Sequence, residues 1–319
     1  MTFLRKTMGA EVGALAALLS LVLLFSLISP HFLTLESWGA LMGSSIEVGV
    51  IALAVTFLLI VGEIDLSVGA IFAVCGVSYA MLVLQYDVSP GIAFPAAILL
   101  GGLLGALNGW ITVKTGLPSF IVTLGTMMFW QGCLLVVTNG FPISDLDAKS
   151  GLNWLASDFA FGFRFSCVIW IGLGLACTVT LTRTMFGNWV MATGGNERAA
   201  FAMGIPTSTV KILCFALTGA FCALASLIQF AHLESISPVS GEQYALKAIA
   251  IVVMGGTALS GGTGTVIGSM IGTVIMGVLT TGLVQAGLSN YWFRAIVGVI
   301  LIAAVLINGQ TLKFLRGRA

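Results

Sequence analysis

Charged side chains are scarce in this sequence, at 8% against about a quarter in an ordinary soluble domain. Without that charge, the 58% of residues that are hydrophobic cannot be hidden by a water-soluble fold. The six cysteines, Cys75, Cys133, Cys167, Cys177, Cys214 and Cys222, all lie inside apolar runs. Their spacing fits neither a disulfide framework nor a zinc site, and they read as small buried apolar residues. No G-x-x-x-x-G-K-[ST] phosphate loop occurs, so the chain has no such means of hydrolysing ATP. H-E-x-x-H and G-x-S-x-G are absent too, and the two histidines, His31 and His232, fall near span ends. No nucleophile with its base is visible, which counts against a membrane enzyme. Arg ladders and rows of acids, the marks of voltage sensors and ion-driven pumps, are missing. The net charge of +1 and the lack of any basic stripe beyond the tail Lys313, Arg316, Arg318 exclude nucleic acid as a partner. The tail reads as an anchor at the inner surface.

What is present is apolar residues in runs long enough to cross roughly 30 Å of hydrocarbon. They fall near 12–29, 46–61, 66–84, 91–113, 117–138, 165–182, 210–231, 245–259, 264–287 and 292–309. The pattern predicts an all-α polytopic membrane protein of about ten transmembrane helices, one transmembrane unit over residues 1–319. The second and eighth runs are short and read as broken or re-entrant. Arg5 and Lys6 before Val12–Ile28 mark a first, uncleaved membrane helix rather than a secretory signal, because further spans follow. With the N-terminus inside, Arg5, Lys6, Lys114, Arg183, Arg198, Lys211, Lys313, Arg316 and Arg318 lie inside. Lys149, Arg164, Lys247 and Arg294 lie outside or near the outer ends. Nine against four obeys the positive-inside rule and puts both termini in the cytoplasm.

That orientation makes 184–209 the longest polar cytoplasmic connection. Its stretch Gly194-Gly195-Asn196-Glu197-Arg198-Ala199-Ala200 predicts a short helix ended by Gly204 and Pro206, a docking element or else a solvated linker. The outer loop 139–163 carries Asp145, Asp147, Asp158 and Lys149, and the outer segment 232–244 carries Glu234 and Glu242. Together they read as a charged rim for an external partner or as ordinary solvated loops.

The most informative local feature is Gly62-Glu63-Ile64-Asp65-Leu66-Ser67-Val68-Gly69, two carboxylates between apolar runs. Intramembrane ionisable groups face bundle interiors or water-filled paths. Asp65 stands where a helix restarts and has a capping role open to it. Glu63 has three roles open: path lining, a salt-bridge partner, or exposure at the inner interface. Met254 to Gly264 is a loose counterpart in the second half, and paired breaks in two related halves point to a transporter's midline path. Gly287 to Tyr291 likewise echoes Gly116 to Phe120. The four-residue spacing of Gly101, Gly105, Gly109 and of Gly264, Gly268, Gly272 predicts that the fourth and ninth spans are internal. Asn108, Ser119, Thr123, Thr126 and Gln131 offer uncharged hydrogen-bonding groups suited to passing hydroxyls. Glu63, Asp65, Ser67, Asn108, Ser119, Phe120, Thr123 and Gln131 are therefore the candidate path residues.

Four strings in this order, GEIDLSVG at 62–69, Asn108-Gly109 with GLPSFIVTLGT at 116–126, GGNERAAFAMGI at 194–205 and MGGTALSGGTGTVIG at 254–268, carry a resemblance over nearly the whole chain. The sequence resembles the membrane subunits of ribose-type ABC importers, which carry monosaccharides and their relatives. The resemblance implies a permease in a bacterial inner membrane that pairs with a second copy or a similar permease. It implies two ATPase subunits or one tandem ATPase below, holding the ATP and Mg, a periplasmic solute-binding protein above, and no cofactor in this chain. It matches Gly195 to Gly204 to the cytoplasmic coupling helix, with Gly195, Asn196, Glu197 and Gly204 framing Ala199 and Ala200, which would seat in a groove of the ATPase. One departure is Asn188, where such permeases commonly have Arg after the glycine. Rival readings are a permease for branched-chain amino acids or nucleosides, and a secondary transporter working alone. GEIDLSVG and LPSFIVTLGT favour the sugar branch.

Overall fold

The computed structural model describes residues 2–145, 149–160 and 162–288, with Trp292, Ala295, Ile296, Gly298 and Val299 beyond. The helices, in order, are α1 (Thr2–Ile28), α2 (Leu35–Ile60), α3 (Val68–Leu84), α4 (Pro90–Thr115), α5 (Ser119–Thr138), α6 (Asn153–Ala156), α7 (Phe165–Arg183), α8 (Met185–Gly195), α9 (Glu197–Ala202), α10 (Thr207–Leu233), α11 (Tyr244–Met254) and α12 (Val266–Gln285). Four short strands, β1 (Ile143–Ser144), β2 (Asp158–Ala160), β3 (Phe163–Arg164) and β4 (Ser235–Ile236), form two antiparallel pairs, β1 with β4 and β2 with β3. Among the described residues seven helices, α1, α2, α4, α5, α7, α10 and α12, are long and apolar enough to cross a membrane, and α3 and α11 are shorter apolar helices. Most of the expected span 292–309, the tail and Asp147 lie outside the described residues.

Helix α2 is the axis of the bundle. From Ser45 to Ile60 every residue is buried, as a helix apolar on all sides requires. It is 26 residues long, not the short span that 46–61 predicted. Thr34 caps it, accepting from the Ser37 amide at 3.3 Å. Glu36, Ser37, Ser44 and Ser45 make its first half look too polar to span. α10, α11, α12 and α7 pack around it, with Thr56 Oγ1 and the Ser269 hydroxyl of α12 at 2.7 Å.

Close backbone approach fixes α10 against α4. A Cβ on Gly101 would stand 2.3 Å from the Gly219 carbonyl oxygen, and one on Gly105 2.1 Å from that of Phe215. Only this stripe of α4 is buried, however. Ile92, Leu99, Leu103 and Trp110 on its other face are exposed, so α4 is a peripheral helix where glycine spacing predicted an internal one. α12 does sit inside, its Gly268 and Gly272 against Gly255 and Ile251.

α11 has 11 residues, short of the 245–259 expected. The connection from α10 turns back into the bundle: Gly241 lies against Gly69 and Phe72 of α3, and Tyr244 packs edge-on to Phe72 at 4.9 Å. The segment 232–244 is therefore only partly a rim. Glu234 and Glu242 are exposed, whereas Asp145 is buried and structural. Its carboxylate accepts from the Lys149 and Ser150 amides at 2.8 and 2.7 Å. Burial works to raise the Asp145 carboxyl, and the Ser150 and Lys149 hydrogen bonds outweigh it, leaving it below the usual carboxylate range.

Candidate functional site

The two breaks end their helices by the same device. Gly62 and Gly256 both adopt φ +90°, a region that L side chains rarely enter. Gly62 N donates to Leu59 O and Glu63 N to Leu58 O. Gly256 N and Thr257 N repeat this with Val253 and Val252, so each helix closes in a Schellman pair. The two breaks thus share their backbone geometry. A helix of 26 residues rises about 39 Å, enough to cross the hydrocarbon, and the α2 break follows at its end.

The breaks touch each other and α8 there. Gly262 N donates to Ile60 O at 2.7 Å, and Gly261 lies against the Gly62 Cα. Gly194, near the end of α8, fits between them with no space for a side chain. α8 itself was not predicted: 184–209 is not a loop with one short helix but two helices hinged at Asn196, whose Oδ1 caps α9 by accepting from Ala199 N at 3.1 Å.

Beyond Gly62 the chain is extended, and its alternate amides lack helical partners. Helix α5 supplies them: Ser119 Oγ accepts from Ile64 N at 3.1 Å, and Thr123 Oγ1, one turn on, accepts from Leu66 N at 3.0 Å. Asp65 Oδ1 accepts from Ser67 N at 2.7 Å and from Ser67 Oγ at 2.5 Å, and Asn108 Nδ2 of α4 donates to Ser67 Oγ at 2.7 Å. Asp65 does organise the helix start, but Ser67 is the cap position and Asp65 stands two residues before it. Asp65, Ser67, Asn108, Ser119 and Thr123 are thus gathered into one buried clamp. Phe120 is exposed on the outer face of α5, and Gln131 stands about 18 Å further along it, so neither belongs to the clamp. Thr123→Val keeps the volume and orphans the part-buried Leu66 amide. A loss of about 1–2 kcal/mol is expected, read as a lower melting midpoint of the purified chain.

Glu63 takes the salt-bridge role of its three. Its Oε1 lies 2.8 Å from Lys211 Nζ in the first turns of α10, and the same ammonium lies 2.8 Å from Glu197 Oε2 in α9. Sequence reasoning read Lys211 only as an inside charge. Ala200 also differs from expectation: it is buried in the chain by packing under α9, so it cannot seat in a partner's groove, while Ala199, Phe201 and Met203 are exposed. Phe201 and Met203 were overlooked, though a large apolar pair on a short polar-flanked helix was signal enough.

A second polar cluster was missed entirely. Glu47, buried midway along α2, accepts from Gln229 Nε2 at 2.9 Å and Tyr244 Oη at 2.8 Å, and His232 Nδ1 is 3.5 Å away. It borders a cleft of about 640 Å³ whose lining includes Glu36, Asp158, Arg164 and His232. A lone carboxylate inside an apolar run was the available signal.

The family described as branched-chain amino acid transport system, permease component, matches residues 38–305. Ribose import permease protein RbsC of Bacillus subtilis is 36% identical over 298 residues, 93% of this chain and 92% of its own. Its namesake in Escherichia coli K12 is 33% identical over 310 residues, 97% and 96% of the two chains. The probable ABC transporter permease protein YphD of Escherichia coli K12 is 36% identical over 298 residues, 93% and 89%. No solved structure matches the chain. With helices fit to cross a membrane and full-length relatives among ribose permeases, the chain belongs to the ribose-type ABC importer permeases, multi-pass membrane subunits of transport systems.

Proposed function

We propose that this chain forms the route by which a monosaccharide or sugar-like solute, a pentose, hexose or sugar alcohol, crosses a bacterial inner membrane. ATP hydrolysis in a separate ATPase, two subunits or one tandem chain holding ATP and Mg, drives the passage. A periplasmic binding protein delivers the solute, and a second copy or a related permease completes the path. Both termini and α9 lie in the cytoplasm in this reading. The observation that carries it is the match, near full length on both sides, to proteins named ribose import permeases. The positive-inside count supports the orientation.

The ATPase meets α9 and the end of α8, with Gly195, Asn196, Glu197, Ala199 and Gly204 shaping the contact. Phe201 on α9 and Met203 just past its end are its apolar centre, since they are 70% and 83% exposed while Ala200 anchors the helix. Phe201→Asp with Met203→Asp leaves the packed side of α9 untouched. Chain level in the membrane should stay normal, ATPase co-purification should be lost, and uptake should fall at least about tenfold. Retained co-purification would remove this contact from the proposal.

The function itself is tested in proteoliposomes containing the permease with its ATPase and binding protein. Labelled ribose, hexoses and a sugar alcohol are offered with and without ATP, with leucine as competitor because the family description names amino acids. ATP-dependent sugar uptake is expected. Uptake without the ATPase would make the chain a secondary transporter instead.

A further inference from the structure

Lys211 joins three elements that the proposed function needs to move together. Its Nζ is 2.8 Å from Glu197 Oε2 on α9 and 2.8 Å from Glu63 Oε1 at the α2 break, and its own backbone lies in the second turn of α10. Glu63 and Lys211 side chains are 11% and 14% exposed, so water screens their pair little, while Glu197 is half exposed. From Glu63 the chain runs directly into Ile64, whose amide is held by Ser119 on α5, and then Leu66, held by Thr123. α5 is the helix whose other face, Phe120, Leu124, Met128 and Phe129, is open. A displacement of α9 thus has a continuous polar route, Glu197 to Lys211 to Glu63 to Ile64 to Ser119, into a helix that is packed on one side only.

We infer that Lys211 is a positioning residue for transport: it couples movement of α9 to the α2 break and α5, so that ATPase closure and opening of the path stay in step. This rests on the proposed function, since it presumes that α9 receives the ATPase. The geometry gives Lys211 this role because one ammonium satisfies two carboxylates on separate elements. Without it Glu63 and Glu197 repel each other, and the break is released from α9. A purely structural ion pair would lower stability without altering how much solute moves per ATP.

The test is the ratio of solute moved to ATP hydrolysed in proteoliposomes of the complete importer, compared for wild type, Lys211→Met and Lys211→Arg. For Lys211→Met the ratio is expected to fall about tenfold, within the range that residues on a coupling route command, with basal ATP hydrolysis retained. Lys211→Arg keeps the charge and restores most of the ratio. Glu63→Gln and Glu197→Gln, which preserve shape, are each expected to lower it, and adding either to Lys211→Met should lower it no further. A wild-type ratio in Lys211→Met, or in both Gln variants should Lys211→Met not accumulate, overturns the inference. Additive losses overturn it too. If wild type itself shows no ATP-dependent uptake, the proposed function has failed instead.

Discussion

Adding one methyl group at Gly194 is expected to destabilise the chain by about 2–3 kcal/mol and to abolish uptake, whereas the same change at Gly195 is expected to leave stability nearly unchanged. A Cβ at Gly194 would stand 1.6 Å from the Ile60 carbonyl oxygen and 2.7 Å from Gly262 N, and both are backbone atoms with no rotamer to turn aside. That carbonyl is the acceptor of the 2.7 Å bond from Gly262 that ties the two breaks together, so making room for the methyl separates α2 from the second break. Gly195 has nothing within 4 Å of its Cβ position and a φ outside the left-handed region, so alanine there meets no obstacle. The pair controls for helix propensity, because both positions close α8 and both exchange glycine for a better helix former. Melting midpoints of the detergent-purified variants, followed by uptake, decide the matter. Equal midpoints for the two would mean that the junction yields freely and does not hold the breaks in register.

The junction also shows what sequence patterns carry and what they do not. Hydropathy placed α5 within two residues of its observed start, 117 against Ser119, because its flanks are Gly116 and Pro118 and nothing polar interrupts the run. It failed at α2, where Glu36, Ser37, Ser44 and Ser45 mimic a loop. Glu47 is tolerated only because Gln229 and Tyr244, 182 and 197 residues away, reach it. Local reading has no access to partners at that distance. α8 was hidden for a related reason, since Gly187, Asn188, Gly194 and Gly195 make 184–209 look irregular. Gly187 and Gly194 are there for close packing against backbone carbonyls rather than for flexibility. Ser119 and Thr123, four residues apart on one helix face, serve the amides of the break before any solute. Lys211 and Glu63 were both noticed, yet only the fold brings them together.

The clamp leads to a prediction that separates an anchor from a charge. Asp65 Oδ2 and Asn108 Oδ1 are both buried without a donor, while Asp65 Oδ1 and Asn108 Nδ2 meet through Ser67 Oγ. Two acceptors lacking donors in one buried network mean that the side chain at 65 is needed for its shape and one acceptor oxygen, not for its negative charge. Asp65→Asn keeps the oxygen that receives Ser67 N and Oγ, and supplies donors where the second oxygen stood. It is therefore expected to accumulate in the membrane and to transport within about twofold of wild type. Asp65→Ala removes the acceptor, orphans the Ser67 amide and leaves a hole beside Asn108. It is expected to cost about 3 kcal/mol, with uptake down more than about tenfold. Membrane level, melting midpoint and uptake of both variants form the measurement. Full accumulation of Asp65→Asn with no uptake would give the carboxylate a part in passing solute that its hydrogen bonds do not require, whereas equal loss in both variants would make burial of a charged group itself the condition for the break to form.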